Sequence, residues 1–463
     1  LASVTGQLFT VSDQDAGANG VFVNFFNRPA STAQGAVAFS SKTGAAILPS
    51  FIWRVGTDKH TARVGEQFEL VNTGNKKEDM KQNLQRAAGI LEGYIRKFPE
   101  QWLWSHKRWK STPKRTVIVL GDGKAGHLNQ AMAVAEMIEE ALGSRLKARG
   151  IEEKPIVKIH TVDVRFKNNF TKMLLNLAGI FASRRCQGCL RCFKFCLTKE
   201  SYEAVKNKYA DIVISCGAST VAANIFLKYE NNAKNIVIMK PGMGRGKKID
   251  LVIIPRHDAI PVGEGIKPSP THKILITEGA PNRVTQKAME EAVLKVEGER
   301  CTVKGGGIGA LIGGDAKGFK LEKSDVEKVL DAVIKISEEK NIDIYASTSR
   351  RTSPEIDGLV KEKLSNRKNC KLLIIANEKN IEGAAPGIFG LSDVIITSPE
   401  SMSMISEAAS SGKNVIVFSD KGQGTGNKGK RSKYDCMVLN FEKQGYIQTA
   451  EPDGIYNKIK EIL

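Results

Sequence analysis

Asp122 and His127 stand in a glycine-rich turn whose residue types suit proton transfer beside a bound anion. The turn reads G-D-G-K-A-G-H from residue 121 to residue 127, after an apolar stretch at 116–120. Glycines between a strand and a helix let backbone N–H groups approach an anion. Carboxylates and imidazoles act as general bases. We therefore expect Asp122 or His127 to be catalytic, although a tight strand-to-helix connection has the same glycines.

Glu407 lies within a predicted strand–turn–helix–strand segment at residues 395–418. Residues 398–401 read S-P-E-S, which supplies turn formers and N-cap candidates before a helical pattern at 402–411. A helix N-terminus at the carboxyl ends of parallel strands is where open α/β sheets bind phosphorylated ligands. We expect Ser401 and Ser403 to contact such a phosphate and Glu407 to contact a ribose diol. An ordinary βαβ unit with a solvated Glu407 is the alternative.

Two further polar segments follow predicted strands in the same part of the chain. Gly313 and Gly314 follow the strand at 308–312, and Arg350 and Arg351 follow the strand at 342–347. Adjacent arginines can hold a diphosphate through paired hydrogen bonds. We predict that these four residues bind a nucleotide diphosphate, with a solvated loop as the alternative for the arginines.

Alternating strand and helix patterns predict an α/β fold with two Rossmann-like, doubly wound parallel sheets. We place the domains at residues 113–300 and 301–463, with a flexible hinge at the glycines 305–307. The Gly- and Lys-rich segment 421–433 is expected to be mobile and to close over a phosphate. Residues 1–112 form a partial α/β domain. Its strands are predicted at 21–23 and 45–53 and its helices at 34–43 and 77–98, and the parallel-sheet strands are predicted at 116–120, 156–162, 211–215, 235–239, 251–254, 308–312, 342–347, 372–376, 395–396 and 415–418.

Four cysteines are clustered with the spacing C-x2-C-x2-C-x3-C, which is typical of bacterial ferredoxins. The spacing predicts an iron–sulfur cluster or a zinc ion held by four thiolates. The motif lacks a proline after its last cysteine and a second set of four. The alternative is a basic, apolar docking element, since the apolar run 174–181 adjoins several arginines. The cysteines are Cys186, Cys189, Cys192 and Cys196, and the basic residues are Arg184, Arg185, Arg191 and Lys194.

The net charge of the 463 residues is +19, which favours polyanionic partners such as nucleotides, anionic lipids or nucleic acid. We expect no nucleic acid partner, because neither an aromatic RNA-binding signature nor a zinc-finger repeat is present. No apolar run approaches the ~20 residues of a membrane-spanning helix. Eight cysteines outside any disulfide framework indicate a reducing, cytosolic compartment. The chain begins without methionine, and we interpret it as part of a longer protein.

Three tryptophans alternate with basic side chains at residues 98–110. This composition suits a membrane interface, where aromatic rings lie at headgroup level and cations meet phosphates. A terminal element that packs its indoles on a protein core is the alternative. Together with residues 174–196, the segment leads us to expect binding to an anionic membrane surface.

The first 112 residues resemble the lipid A lauroyl/myristoyl acyltransferase family. The resemblance rests on D-Q-D-A-G at 13–17, G-V-F-V-N-F-F-N-R-P-A-S-T at 20–32, T-G-A-A-I-L-P at 43–49 and P-E-Q-W-L-W-S-H-K-R-W-K at 99–110. It covers the C-terminal half of that family, and the catalytic H-x-x-x-x-D/E motif does not stand before residue 13. It implies that Arg28, Ser31 and Thr32 line an acceptor site. It also implies an incomplete domain that does not transfer acyl groups. His106 lies in the terminal tryptophan-rich element and does not replace the catalytic histidine of that motif.

Residues 117–440 resemble the mitochondrial-fission ELM/GtrOC-type family of GT-B-like glycosyltransferases. The matching motifs are G-D-G-K-A-G-H-L-N-Q-A, L-I-G-G-D, T-S-R-R-T and T-S-P-E-S-M-S-M-I-S-E-A, in that order. Glu400 stands where the family usually has Asp, and an Asn-Pro pair is missing near Asn377. The motif around Glu407 also resembles the donor-nucleotide segment of GT-B enzymes, with Asn414 in place of its proline.

The second resemblance implies transfer of a sugar from a nucleotide-diphosphate sugar to a lipid-linked acceptor. Such transfer needs no metal when basic side chains and helix N-termini hold the leaving diphosphate. With the acyltransferase-like part, it implies an envelope-lipid acceptor and a peripheral position on the cytoplasmic side of the inner membrane. The fission-factor name of the plant members implies the alternative, a non-enzymatic membrane-associated adaptor.

Overall fold

The computed structural model describes residues 8–11, 13–148, 156–242, 244–259, 273–297, 306–316, 319–379, 381, 383–419 and 433–463. The chain divides into two compact units. One comprises Leu1–Thr116 and Met137–Ile159, and the other comprises Val117–Glu136 and His160–Leu463. Within the described ranges, no helix is both long and apolar enough to cross a membrane. The predicted mobile segment 421–433 lies outside the described residues, apart from residue 433.

The first unit contains two antiparallel strand pairs and one long helix. Strand β1 (Val21–Phe25) pairs with β2 (Arg28–Thr32) across a two-residue turn, where Phe26 and Asn27 have φ values of 50° and 57°. Positive φ at both central positions matches the twist of a hairpin. The strand predicted at 45–53 forms only from residue 50 onward. The other elements are α1 (Gly35–Thr43), β3 (Ser50–Arg54), β4 (His60–Val64) and α2 (Lys76–Lys97).

Arg108 is a buried cation that joins the hairpin to the segment after α2. Its side chain, 1% exposed, donates to the backbone oxygen of Ser31 at 2.6 Å and to Thr32 Oγ1 at 2.7 Å. Burial lowers the pKa of Arg108, and the nearby carboxylates of Asp15 and Asp13 oppose that shift. A buried charge is tolerated when its hydrogen-bonding groups find partners. The acceptor-motif residues Ser31 and Thr32 therefore hold Arg108 in place.

The tryptophan-rich segment after α2 lies largely against the core of the first unit. Trp102 and Trp109 pack on a cluster of buried side chains that includes Phe25. Trp104, in contrast, is 56% exposed. Of the two interpretations of residues 98–110, packing of the indoles on a protein core therefore applies to Trp102 and Trp109. Arg28, the remaining residue of the predicted acceptor motif, begins β2 opposite Phe25.

Most of the chain beyond residue 113 forms two six-stranded parallel sheets covered by helices, which confirms the predicted fold class. The strands of the first sheet are β5 (Lys114–Gly121), β6 (Ile156–Asp163), β7 (Ile212–Cys216), β8 (Lys234–Ile238), β9 (Leu251–Pro255) and β10 (Lys273–Thr277). Its helices are α3 (Ala125–Lys147), α4 (Asn169–Phe181), α5 (Arg191–Cys196), α6 (Lys199–Lys206), α7 (Val221–Asn231) and α8 (Arg256–Ala259), followed by α9 (Gln286–Glu297). Strand β10 was not among the strands predicted from the sequence, and it lies at the edge of the sheet, where three of its five residues are exposed.

The second sheet follows the same alternation. Gly307, expected in a flexible hinge, is instead the first residue of a buried strand, whereas Gly305 lies outside the described residues. The strands are β11 (Gly307–Ile312), β12 (Asp343–Thr348), β13 (Cys370–Ile374), β14 (Val394–Thr397), β15 (Asn414–Phe418) and β16 (Gln448–Ala450). The helices are α10 (Lys323–Lys340), α11 (Pro354–Leu364), α12 (Ala384–Leu391), α13 (Met402–Ser410), α14 (Lys433–Lys443) and α15 (Ile455–Ile462).

The strand orders locate one crevice in each sheet. The first sheet has the order β10-β9-β8-β7-β5-β6, so its strand order reverses between β5 and β7. The second has the order β13-β12-β11-β14-β15-β16, so its order reverses between β11 and β14. Open α/β sheets bind ligands at the carboxyl ends of the strands on either side of such a reversal. The turns after these four strands are therefore the places to look for a site.

The chain passes from one sheet to the other between β10 and α9. Helix α9 precedes residue 300, yet it packs on α12 of the second sheet. A side chain at Gly390 of α12 would collide with Val293 and approach Met289, both on α9. The close approach of these two helices thus requires a residue without a side chain at position 390.

We expect Arg108→Met to destabilise the first unit by about 3 kcal/mol, because the backbone oxygen of Ser31 and Thr32 Oγ1 lose their charged donor inside the core. All four tryptophans lie within residues 53–109, so tryptophan fluorescence during urea unfolding reports this unit. The exposed Lys107→Met is the matched control and should change stability by less than about 0.5 kcal/mol. Equal unfolding midpoints for the two variants would show that the buried pairing carries no stability.

Candidate functional site

Asp122 and His127 contact each other at the strand reversal of the first sheet. Asp122 follows β5, and its Oδ2 lies 3.0 Å from His127 Nδ1 in the first turn of α3. Ser219, in the turn after β7, donates its hydroxyl to the same oxygen at 2.8 Å. Desolvation raises the pKa of Asp122, but the hydrogen bonds from Ser219 and His127 outweigh it and hold the pKa below its usual value. An ionised Asp122 fixes the imidazole with Nδ1 protonated, which leaves Nε2 as a proton acceptor.

Gly217 provides the room that His127 occupies. Its φ of +82° is in the left-handed region, and a side chain there would lie 2.7 Å from His127 Cε1. Cys216, the last residue of β7, is buried, and desolvation together with the nearby Asp122 carboxylate raises the pKa of its thiol to about 12. The thiol therefore remains neutral at physiological pH. The sequence indicated Asp122 and His127, but not their contact with Ser219, which is 97 residues away from Asp122.

Three motifs of the second sheet meet at its strand reversal. Gly313 and Gly314 follow β11, and their amides donate to Ser398 Oγ at 2.9 Å and to Glu400 Oε1 at 2.8 Å. A side chain at Gly313 would overlap the carboxyl group of Glu400, and one at Gly314 would lie 2.1 Å from the backbone oxygen of Arg351. The two glycines thus permit backbone contact with the turns after β12 and β14. Their amides are occupied by Ser398 and Glu400, so a phosphate would need other donors or would displace these two side chains.

Glu400 is a functional candidate that the sequence indicated only as part of a turn and as a departure from a family pattern. It is 1% exposed, and its Oε1 also accepts from Ser398 Oγ at 3.1 Å. Its Oε2 is buried without a hydrogen-bond partner among the described residues. Desolvation raises the pKa of Glu400, although hydrogen bonds from the protein and the charge of Arg351 oppose the shift. The signal that could have identified it was its position between the turn former Pro399 and the predicted N-cap.

Arg350 and Arg351 are exposed in the turn after β12, beside the Gly314 backbone. Thr352 fixes this turn, because its amide donates to the oxygen of Ser349 at 3.0 Å and its hydroxyl donates to the oxygen of Gly313. Asn377, which follows β13, supports the turn from the other side. Its amide group donates to Thr352 O at 3.1 Å and to Asp357 Oδ2 at 2.7 Å.

The first turn of α13 faces the first turn of α3. A methyl group on Gly126 of α3 would lie 3.9 Å from Ser403 Oγ of α13. Ser401 is the N-cap residue of α13, and its side chain makes no capping hydrogen bond. The N–H groups of a helix's first turn have no acceptor within the helix and attract anions. The structure thus brings the dyad of the first sheet close to an anion-attracting helix terminus of the second.

Glu407 lies one turn after Ser403 on α13 and is partly buried. Desolvation raises the pKa of Glu407 to about 7. Among the residues that the structure describes, none forms a hydrogen bond or an ion pair with its carboxylate. A carboxylate without a partner at a cleft is suited to accept hydrogen bonds from ligand hydroxyls.

The segment between the two sheets is fixed by polar contacts that sequence analysis did not detect. The amide of Ala280 donates to Ser406 Oγ of α13 at 3.0 Å. Arg256 of α8 forms a bidentate pair with Glu278, at 2.8 and 2.5 Å. Asn440 of α14 donates to the same carboxylate at 2.9 Å. These contacts hold α13 and α14 of the second sheet against the carboxyl edge of the first.

The four clustered cysteines lie at different depths around α5. Cys196 is buried, Cys186 and Cys192 are partly buried and Cys189 is exposed. Desolvation raises the pKa values of Cys192 and Cys196, and neighbouring cysteines raise them further. Across the described residues, no group of three or more His, Cys, Asp or Glu side chains is placed to hold a metal ion. Iron–sulfur or zinc binding by these thiols remains a prediction.

Residues 125–460 match the family described as mitochondrial fission ELM1, and the chain belongs to that family. Residues 7–111 match the bacterial lipid A biosynthesis acyltransferase family. Both resemblances inferred from the motifs are therefore confirmed. An uncharacterized protein of Rickettsia prowazekii is 29% identical over 235 residues, which are 45% of this chain and 64% of that protein. The chain thus covers less than two-thirds of that relative.

Several solved structures of nucleotide-sugar enzymes have low similarity to this chain. A UDP co-structure of MnaA from S. aureus is 13% identical and covers 75% of this chain and 87% of its own, with a TM-score of 0.41. UDP-GlcNAc 2-epimerase from Methanocaldococcus jannaschii is 12% identical, with a TM-score of 0.43. The match covers 75% of this chain and 92% of the epimerase. E. coli ADP-heptose LPS heptosyltransferase II is 10% identical, with coverages of 75% and 98% and a TM-score of 0.39. Likeness at this level assigns no substrate to this chain.

Gly314→Ala should destabilise the second unit by about 3 kcal/mol, because its methyl group overlaps the Arg351 backbone and the strand ends must separate. Gly126→Ala is the matched control. Its methyl group meets only Ser403 Oγ at 3.9 Å, and alanine favours the helix by about 0.5–1 kcal/mol. Urea unfolding followed by circular dichroism measures both. Equal midpoints for the two variants would contradict the described contact.

Glu407→Gln should make the protein more stable at pH 8 and leave its stability unchanged near pH 4. The folded-state pKa of about 7 exceeds the ordinary 4.5, so wild-type stability falls as pH rises from 4.5 through about 7. The variant avoids this loss, which is at most about 3 kcal/mol. The measurement is urea unfolding at several pH values, with Glu362→Gln, an exposed position of α11, as the control. If the difference in unfolding free energy between wild type and Glu407→Gln does not vary with pH, Glu407 is not a buried, unpaired carboxylate.

Proposed function

We propose that the chain is a GT-B-type glycosyltransferase that moves a sugar from a nucleotide-diphosphate sugar to an envelope-lipid acceptor. The observation that carries this proposal is the approach of the Asp122–His127 dyad to the first turn of α13, at the carboxyl edges of two doubly wound sheets. One edge would hold the donor and the other the acceptor. Transfer between substrates held in this way benefits from proximity and orientation.

On the donor side, cations and helix amides would bind the diphosphate. Arg350 and Arg351 are exposed in the turn after β12, beside the Gly314 backbone, and the uncapped first turn of α13 carries Ser401 and Ser403. Positive groups aimed at a leaving diphosphate stabilise the charge that develops as the sugar departs. We therefore expect no metal requirement for transfer. Gly313 and Gly314 would shape this side by keeping the backbones close.

Glu407 would bind the ribose of the nucleotide. It follows Ser403 by one turn, so a nucleotide whose phosphates lie at the start of α13 would bring its ribose alongside the helix. The unpaired carboxylate would accept hydrogen bonds from the two ribose hydroxyls. Because only the ionised form accepts two such bonds, this contact would strengthen as pH rises through about 7.

On the acceptor side, His127 would act as the general base and Asp122 would orient it. The acceptor hydroxyl would transfer its proton to His127 Nε2 while its oxygen forms a bond to the anomeric carbon. The bond between that carbon and the diphosphate oxygen would break, and the diphosphate would leave with the electron pair. Asp122 stabilises the imidazolium that results, because its carboxylate lies 3.0 Å from Nδ1.

The envelope-lipid acceptor is supported by the acyltransferase-like segment at residues 7–111. A chain that joins a segment of the lipid A acyltransferase family to a sugar-transferring part would act on lipids of that class. Such an acceptor would place the protein peripherally on the cytoplasmic side of the inner membrane.

Glu407→Ala and Arg351→Ala should each weaken nucleotide binding by at least about tenfold, because each removes a charged hydrogen-bond partner of the ligand. A calorimetric titration with UDP, GDP, CMP and ADP and their sugars measures binding, and product analysis detects hydrolysis or transfer. Lys368→Ala, at an exposed position after α11, is the matched control. Wild-type affinity should increase as pH rises through about 7, and Glu407→Ala should remove that increase.

Unchanged nucleotide affinity in both variants would refute the donor site. A wild-type chain that binds no nucleotide would favour the alternative, a non-enzymatic membrane-associated adaptor. The two functions are thereby separated without knowledge of the acceptor.

A further inference from the structure

Helix α4 exposes a continuous apolar face to solvent. Asn168 and Thr171 form a capping box that sets its first turn. On one side, α4 packs so closely on α7 that a side chain at Gly179 would lie 3.0 Å from Ala222 Cβ. The opposite side carries large side chains at intervals of three and four residues, which places them in one stripe along the helix. These are Phe170, Met173, Leu174, Leu177 and Phe181, with exposures between 38% and 81%.

Phe195 of α5 extends this surface, which is called the α4 patch below. It is 58% exposed, and Lys167 lies over its ring at 5.8 Å. Lys167 also donates to the backbone oxygen of Lys194 at 3.1 Å. The contact ties α5 to the loop that precedes α4. Isolated exposed apolar residues are common, but six in one patch indicate an interaction surface.

The sequence around the α4 patch is strongly basic, although Glu230 of α7 accepts from the amide of Gly188 at 2.8 Å in the adjoining turn. Residues 164–199 contain eight Lys or Arg residues and no Asp or Glu. The loop after β8 adds further cations and contacts α4 directly, because Arg245 Nη1 donates to Asn176 Oδ1 at 3.0 Å. An apolar face with a basic rim fits the interface of an anionic bilayer, where the rings enter the acyl boundary and the cations meet phosphates.

The α4 patch begins at the carboxyl edge that carries the dyad. Strand β6 lies next to β5, and the amide of Val164 after β6 donates to the oxygen of Gly121 at 2.9 Å. Asp122 is the next residue after Gly121. Only residues 164–168 separate β6 from the start of α4. The helix and the catalytic candidates therefore leave the sheet at neighbouring strand ends.

We propose that the α4 patch seats the chain on an anionic lipid bilayer, with the acceptor side of the cleft opening at the lipid surface. This inference rests on the proposed function insofar as it supplies a lipid acceptor to the Asp122–His127 dyad. Seating of this kind is reversible and weakens with salt, because it combines shallow apolar contact with screened attraction. In the part of the chain that the structure describes, the tryptophan-rich segment contributes less, since Trp102 and Trp109 pack inward.

Vesicle flotation tests the apolar part of the α4 patch. The wild-type chain should float with vesicles of phosphatidylglycerol and phosphatidylcholine, less so with added salt, and not with phosphatidylcholine alone. Replacing Leu174 and Leu177 by Gln should weaken partitioning by on the order of tenfold per leucine. Leu294→Gln with Leu439→Gln, two exposed leucines on α9 and α14, is the matched control and should leave flotation unchanged.

The charged part is tested in the same assay. Replacing Arg184, Arg185 and Arg191 by Glu should weaken binding to anionic vesicles by about a hundredfold or more. The control makes the same change in charge elsewhere. It replaces three exposed lysines of the second sheet's domain, Lys320, Lys340 and Lys368, by Glu. Circular dichroism checks that every variant is folded, and light scattering of the wild-type chain and the leucine variant compares their masses.

Equal binding to neutral vesicles, absence of flotation, or equal effects of the patch and control variants would each overturn the proposal. A wild-type dimer that the leucine substitutions convert to a monomer would assign the patch to a second copy of the chain and overturn it as well. Nucleotide titration of the same proteins separates the two proposals. If the chain floats but binds no nucleotide, the lipid-surface proposal stands and the transferase proposal fails. If it binds nucleotide but does not float, the transferase proposal stands and the lipid-surface proposal fails.

Discussion

The second sheet depends on two residues without side chains at the end of β11. Gly313 and Gly314 allow the turns after β12 and β14 to approach so closely that a methyl group on either would overlap its neighbour. The contact buries Glu400 and places Arg351 beside the start of α13 in a single arrangement. Cores are packed densely, so small changes in such a contact shift whole elements. The proposed donor side of the site is therefore a product of backbone packing as much as of the side chains that would touch a ligand.

Sequence patterns predicted the elements more reliably than the contacts between them. Short apolar runs bounded by glycines identified most strands of both sheets, because strands buried on both faces have few polar residues. The same patterns placed Asp122, His127, Arg350 and Arg351 at strand ends or helix starts, and Glu407 within α13. They did not reveal the contact between Ser219 and Asp122, which are 97 residues apart, or the burial of Glu400 in the turn before α13. Gly307 was misassigned to a hinge because glycine occurs both in flexible loops and in strands where another backbone or ring comes close.

The acyltransferase-like segment shows why a motif match does not by itself define a site. Ser31 and Thr32 match an acceptor motif, yet here they are buried and bind Arg108. A short polar motif can be retained because a buried cation needs its oxygens, whether or not a ligand passes nearby. The same holds for Asn377, whose amide group supports a turn through Thr352 and Asp357. Hydrogen-bond accounting in the folded chain separates such supporting residues from those with free capacity, such as Glu407.

The high pKa of the Cys216 thiol has a consequence for the reactivity of the dyad's surroundings. Alkylating reagents and peroxides attack thiolates, and a thiol with a pKa of about 12 is almost entirely protonated at neutral pH. The Cys216 thiol beside Asp122 and His127 is therefore expected to react slowly with these reagents. Cys189 is exposed on the segment that follows α4 and is open to them. Cysteine-directed labels should therefore reach Cys189 beside the α4 patch more readily than Cys216 beside the dyad.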